Sequence, residues 1–233
     1  MNVKPIAYIH SPYGEKFAVP RQPNLVQQLT STVRLIGEAN CSDAVRGLTD
    51  FSHLWLIFQF HLIPLGKWHP LVRPPRMGGN QKVGVFASRS SFRPNNIGLS
   101  VVELLDITFE QNQVTLVIQG GDFVDGTPVI DIKPYIPYSD CIPHATEAYA
   151  SRPIVAAKPI TFDPACDSQL NKITTLIPEF KSVVSQVLQQ DPRPGYRRGS
   201  VEEKTYGVTL YNYNIRFRFE QECIKVTAIA PAD

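Results

Sequence analysis

Twenty prolines and fourteen glycines are scattered along the 233 residues, and this punctuation restricts the fold more than any other feature. Proline removes a backbone donor, and glycine weakens a helix by about 1 kcal/mol relative to alanine, so segments cut this often do not sustain long helices. Before residue 165 the chain therefore reads as short strands, at 6–9, 32–36, 54–60, 83–86, 100–109, 113–118 and 129–132, each bounded by Gly, Pro, Asn or Asp. Seven such strands predict a barrel or a sandwich. Glu110, Gln111 and Asn112 mark a hairpin turn, and Asp125-Gly126 marks a second turn.

After Tyr149 the texture changes. The stretch 152–164 reads as a linker or crossing segment, and 168–176 and 179–190 as helices separated by Pro178, with Val183, Val184, Val187 and Leu188 on the apolar face. Tyr213, Ile215, Phe217 and Phe219 then alternate with polar residues, and Ile224, Val226 and Ala228 repeat that strand pattern. The expected fold class is mainly β: residues 1–150 form a β domain and residues 151–233 a smaller α+β domain.

With 43% hydrophobic and 19% charged residues, the chain can bury a core, which argues against disorder. Cys41, Cys141, Cys166 and Cys223 lie far apart with no metal-ligand spacing, so neither a metal site nor a disulfide framework is expected, and a cytoplasmic setting fits. Residues 1–10 lack the pattern of a signal peptide, and the longest apolar run, 54–60, is too short to span a membrane. The net charge of +2 marks no polyanion binder by itself, but its distribution is uneven. From 51 to 102 there is no acid, while Lys67, Arg73, Arg76, Lys82, Arg89 and Arg93 are basic; from 103 to 147 there are eight acids and one base, Lys133. Either a basic face awaits an anionic ligand or polymer, or the two segments pair and cancel.

No P-loop, dinucleotide fingerprint, GxSxG, HExxH or kinase signature is present. Four other segments carry chemistry. In the loop 84–98, Arg89 and Arg93 are placed to fork onto a carboxylate or phosphate; alternatively they are solvated and pair with nearby acids. In the turn 120–127, amides around Gly126 suit polar ligand atoms and an acid suits a ribose diol, whereas the plainer reading is turn chemistry. Pro20-Arg21-Gln22-Pro23 is a rigid, basic loop. Asp191-Pro-Arg-Pro-Gly-Tyr-Arg-Arg198 combines three arginines with an aromatic, which suits phosphate contact and base stacking, or it is a helix-ending turn.

Taken together with Ile9-His-Ser-Pro-Tyr13, Phe17-Ala-Val-Pro-Arg-Gln-Pro23, Ala44-Val-Arg-Gly47, Phe51-Ser-His-Leu-Trp55 and Val124-Asp-Gly-Thr-Pro128, these segments make the chain resemble the TsaA-like family, and within it the bacterial TrmO branch. That resemblance implies a small S-adenosylmethionine-binding (SAM-binding) β-barrel followed by the α+β domain, a homodimer, and methylation of N6 of threonylcarbamoyladenosine at position 37 of tRNA. It places cofactor contacts at Pro20, Arg21, Gln22, Phe60, His61, Arg89, Leu99, Asp122, Val124, Asp125, Gly126 and Thr127. It assigns catalysis on the RNA side to Asp191, Arg193, Tyr196 and Arg197. Cofactor and RNA duties are thus expected to separate along the chain.

Asn96, where the family often has proline, is expected to loosen its turn slightly. His61, Asp191, Tyr196 and the substrate's own carboxylate are the candidates for removing the N6 proton. The rival readings are a SAM-sensing or RNA-binding barrel without catalysis, and a methyltransferase acting on a small molecule.

Overall fold

The computed structural model describes residues 2–77, 81–150, 158–193 and 204–232. In chain order the first part contains β1 (Ala7–His10), β2 (Thr30–Leu35), β3 (His53–Gln59), the short β4 (Leu71–Val72) and β5 (Val83–Gly84), β6 (Ile97–Glu110), β7 (Gln113–Gln119) and β8 (Thr127–Pro134). Six of them close into an antiparallel barrel in the order β1-β2-β7-β6-β3-β8, with β8 returning to β1. Period-two alternation turns Leu54, Leu56 and Phe58 of β3 and Val114, Leu116 and Ile118 of β7 into the barrel core, joined by Ile9, Val33, Val102 and Val129.

Of the seven expected strands, 83–86 is not a barrel strand. It pairs only with β4 and bends at once into a 3-10 turn over Val85–Ala87, closed by the Ser88 hydroxyl on the Val85 carbonyl at 2.8 Å. The hairpin at Gln111 and Asn112 is as expected, with both residues in the left-handed region at φ 50° and 62°.

Gly98 is required by close approach. A Cβ there would lie 2.3, 2.6 and 2.8 Å from carbons of the Phe58 ring. That ring is wedged edge-on between Phe60 and Phe123, at centroid distances of 5.1 and 4.9 Å. Gly98→Ala is expected to destabilise the protein by about 1–3 kcal/mol, as overpacking of a filled core does. Urea unfolding measures this, and an unchanged midpoint would show that the ring has room to move.

Beyond the barrel come α1 (Pro137–Asp140), β9 (Ile160–Phe162), α2 (Asp167–Leu176), α3 (Phe180–Gln189), β10 (Thr205–Leu210), β11 (Tyr213–Phe219) and β12 (Ile224–Pro231). The second sheet runs β10-β11-β12-β9, with β9 parallel to β12, so part of the expected linker is a strand. The sequence reading also missed β10, where Tyr206, Val208 and Leu210 turn inward but Gly207 interrupts the pattern.

A second core gathers Phe180, Val183, Val187 and Leu188 of α3 with Ile215, Phe217 and Val226 of the sheet. Tyr13, Ala18, Val26 and Leu29, from the segment between β1 and β2, complete it. That segment is a strap. The amide of Tyr211 donates to the carbonyl of Pro12 at 3.1 Å, and that of Thr209 to the Glu15 carboxylate at 3.1 Å. The strap therefore leaves the barrel, packs into the C-terminal core and returns.

Candidate active site

Antiparallel closure sends β1, β3 and β7 towards one end of the barrel and starts β2, β6 and β8 from the same end. The strap 11–29, the loop 60–96 and the turn 120–126 therefore converge at a single mouth. With them come Pro20, Arg21, Gln22, Phe60, His61, Arg89 and the residues from Asp122 to Thr127. Leu99 is the exception: it pairs with Ile57 on β3, while its neighbours Gly98 and Ser100 are buried and Leu99 is exposed on the outer wall.

Arg89 donates from Nη1 to the Gln22 side chain, which joins the 84–98 loop to the strap. Arg93 is committed elsewhere, donating to the carbonyls of Ser88 at 2.8 Å and Val85 at 3.3 Å and lying over the Phe86 ring. Of the two arginines expected to fork onto a ligand, Arg93 instead braces its own loop. Asn96 does not loosen this turn. It is buried at φ 51°, a conformation closed to proline, and its Nδ2 donates to the Ile63 carbonyl at 2.9 Å.

The carboxylate of Asp122 accepts from the Ser100 hydroxyl at 2.6 Å. Burial pushes the Asp122 carboxyl up to about 6, against the opposing pull of Ser100 and the Arg89 guanidinium. Ser100 is a partner of Asp122 that sequence reasoning missed. Its signal was a hydroxyl at an inward position of an otherwise apolar alternation.

In the neighbouring turn the backbone amides have partners within the protein. The amides of Asp125, Gly126 and Thr127 already donate to Tyr13, Ile9 and Val124 carbonyls at 2.9, 2.8 and 3.2 Å. The Asp125 carboxylate accepts from the Ser11 amide at 3.0 Å. These amides hold β1, the strap and the turn together, and the plainer turn-chemistry reading describes them.

His61 Nδ1 lies 3.5 Å from the Thr127 hydroxyl, which itself donates to the Val124 carbonyl at 2.6 Å. Desolvation lowers the His61 pKa, the Lys16 ammonium adds to that, and Asp125 opposes it. The imidazole is therefore neutral near pH 7.

On the C-terminal side, Asp191 and Arg193 are buried and paired. Arg193 donates to the carboxylate from Nε at 2.9 Å and Nη2 at 2.8 Å, and its guanidinium lies 3.4 Å from the centroid of the Phe219 ring. Tyr196 and Arg197 lie outside the described residues. Among the described residues, no ion pair joins the basic segment 51–102 to the acids of 103–147. Lys67, Arg73 and Lys82 are exposed. No group of three metal-ligating side chains occurs among the described residues, and no helix among them is long and apolar enough to cross a membrane.

Residues 8–141 match the tRNA-methyltransferase O N-terminal domain and residues 156–232 the TrmO C-terminal domain. The chain belongs to the TrmO family. This TrmO-family chain is 46% identical over 226 residues to the tRNA (adenine(37)-N6)-methyltransferase of Escherichia coli K12, covering 97% of this chain and 96% of that one. It is 38% identical over 233 residues to a putative S-adenosylmethionine-dependent methyltransferase, RcsF, of Pseudomonas aeruginosa, covering 100% and 99% of the two chains. The crystal structure of TrmO from Pseudomonas aeruginosa superposes with a TM-score of 0.78 at 33% identity, covering 99% of this chain and 98% of that one. The barrel and the α+β unit are thus the TrmO arrangement.

Proposed function

We propose that this protein is a SAM-dependent methyltransferase that transfers a methyl group to N6 of adenosine 37 in tRNA, with threonylcarbamoyladenosine as its acceptor. The observation that carries the reading is the barrel mouth, where a guanidinium, a half-buried carboxylate and a neutral imidazole meet in a chain of the TrmO family. SAM, when bound, supplies a methyl group on an electrophilic sulfonium, and its carboxylate, ribose diol and cationic sulfur set what a site must offer.

The mouth fits those needs. Arg89, held by Gln22, faces a carboxylate; Asp122, oriented by Ser100, takes a diol or offsets positive charge; and the uncharged His61 does not repel a sulfonium. Pro20, Arg21, Phe60, Val124, Asp125, Gly126 and Thr127 complete the surrounding wall, and Leu99 is left out because it faces outward. Two residue-based domains are retained, 1–150 for the cofactor and 151–233 for the RNA, with the strap crossing between their cores.

Exposed Lys67, Arg73 and Lys82 follow the tRNA backbone. Tyr196 and Arg197 are assigned to the modified base. Of the candidates for the N6 proton, Asp191 already accepts from Arg193 on both oxygens, so the proton goes to His61 or to the substrate's own carboxylate. The protein acts in the cytoplasm as a homodimer, a reading supported by the apolar Ile97 and Leu99 exposed side by side on the outer face of β6.

Arg89→Ala is expected to weaken SAM binding by about 2 kcal/mol, near 30-fold, as loss of a charge-assisted pair does. In the parent, affinity should also fall as pH drops through about 6, where Asp122 takes up its proton. Asp122→Asn should remove that step. Calorimetry reads both; parental affinity in a folded Arg89→Ala protein would return Arg89 to bracing the strap.

The function itself is tested by incubating the protein with SAM and tRNA, with and without the threonylcarbamoyl group. Transfer to the modified tRNA at about 100-fold or more the rate on the unmodified one is expected, because a site built for a carboxylate is left unpaired without it. Equal rates would remove the finer substrate assignment. Binding of SAM with no transfer to either would favour the sensing barrel.

A further inference from the structure

The Asp191–Arg193 pair has the geometry of a clasp. Asp191 sits at φ 44°, in the left-handed region where a non-glycine residue is held only by its surroundings. The fork of Arg193 reaches back across two residues to both carboxylate oxygens, and the Arg193 amide donates to Asp191 Oδ1 at 3.2 Å. The guanidinium lies flat against Phe219 at the end of β11, inside the C-terminal core. The backbone that leads on to Tyr196 and Arg197 therefore starts from a fixed point.

The same residue is touched from the cofactor side. Arg21, in the strap beside Gln22, donates from Nη2 to the Arg193 carbonyl at 3.3 Å. Gln22 in turn accepts from Arg89. A continuous chain of contacts runs from the mouth through Arg89, Gln22, Arg21 and Arg193 to the Asp191 clasp, and no side chain along it is a flexible lysine.

We infer that Asp191 and Arg193 are positioning residues that tie the cofactor-binding strap to the C-terminal core, so that cofactor and tRNA each strengthen binding of the other. This rests on the proposed function, since it takes the mouth as the cofactor site and residues beyond 193 as the RNA side. A cofactor that settles the strap also fixes the Arg21 contact with Arg193, and tRNA held by the C-terminal unit acts on the same contact from the other direction. Linkage makes the effect reciprocal.

Calorimetric titration of the full-length protein with S-adenosylhomocysteine, in the absence and presence of saturating tRNA, gives the coupling as a ratio of two affinities. The parent is expected to bind S-adenosylhomocysteine at least about five-fold tighter with tRNA present, and tRNA tighter by the same factor with S-adenosylhomocysteine present. In Asp191→Asn, which keeps the shape but removes the charge, the ratio should fall towards one. Phe219→Leu, which removes the ring beneath the guanidinium and leaves the carboxylate intact, should lower it as well and serves if Asp191→Asn folds poorly. A merely structural role would change both affinities together and leave their ratio intact. A parent that methylates tRNA with a ratio of one, or variants that retain the full ratio, would overturn this inference alone. A parent that transfers no methyl group would overturn the proposed function beneath it.

Discussion

A chain ending at Tyr149 is expected to lose SAM binding along with its C-terminal third, although every proposed cofactor contact precedes the cut. The reason is the strap. Tyr13, Val26 and Leu29 are fully or almost fully buried among residues of α3 and the second sheet. Exposing them forfeits about 1.5–3 kcal/mol per side chain, roughly 5 kcal/mol or more together. That rivals the whole net stability of a small domain. The barrel keeps its own separate core, so the truncated chain retains strand structure while Pro20, Arg21 and Gln22 lose the support that places them at the mouth. When only a small fraction of molecules is competent, apparent affinity falls by that fraction, and a loss of about 100-fold or more is expected. Circular dichroism with calorimetry decides it: a folded truncation with parental affinity would show that the strap needs no second core.

Arg193→Ala should be the most damaging single substitution on the C-terminal side. The side chains of Arg193 and Asp191 are only 4% and 9% exposed. Removing the guanidinium leaves the carboxylate buried without that fork, an imbalance that costs about 3–5 kcal/mol. Asp191→Asn should cost less, because the amide oxygen still accepts from the buried guanidinium. The double variant should be less destabilised than the sum of the two singles. Chemical denaturation of the three variants measures this, and an additive result would mean that the pair is not energetically coupled.

Much of the fold was legible in the residues. Alternation at 54–60 and 113–118 and the turn residues at 111 and 112 are local signals, and the structure follows them closely. The strap's allegiance was not legible, because nothing local in residues 11–29 announces that its apolar side chains pack against a helix more than 150 positions later. The short β9 was hidden for a similar reason: three residues in a proline-rich stretch become a strand only because β12 offers its edge.

The partners of the candidate side chains are not legible in the residues: Arg89 is held by Gln22 and Asp122 by Ser100, while Arg93 and the amides around Gly126 brace the loops that carry them. For Asp191 and Arg193, composition alone suggests phosphate contact and base stacking, or a helix-ending turn; the fold buries them against each other and against Phe219.

Mass spectrometry of tRNA nucleosides from cells lacking this protein tests the assignment most directly. Threonylcarbamoyladenosine without its N6-methyl group should accumulate, the methylated nucleoside should disappear, and re-expression of the parent chain, but not of Arg193→Ala, should restore it. An unchanged level of the methylated nucleoside in the deletion strain would contradict the assignment.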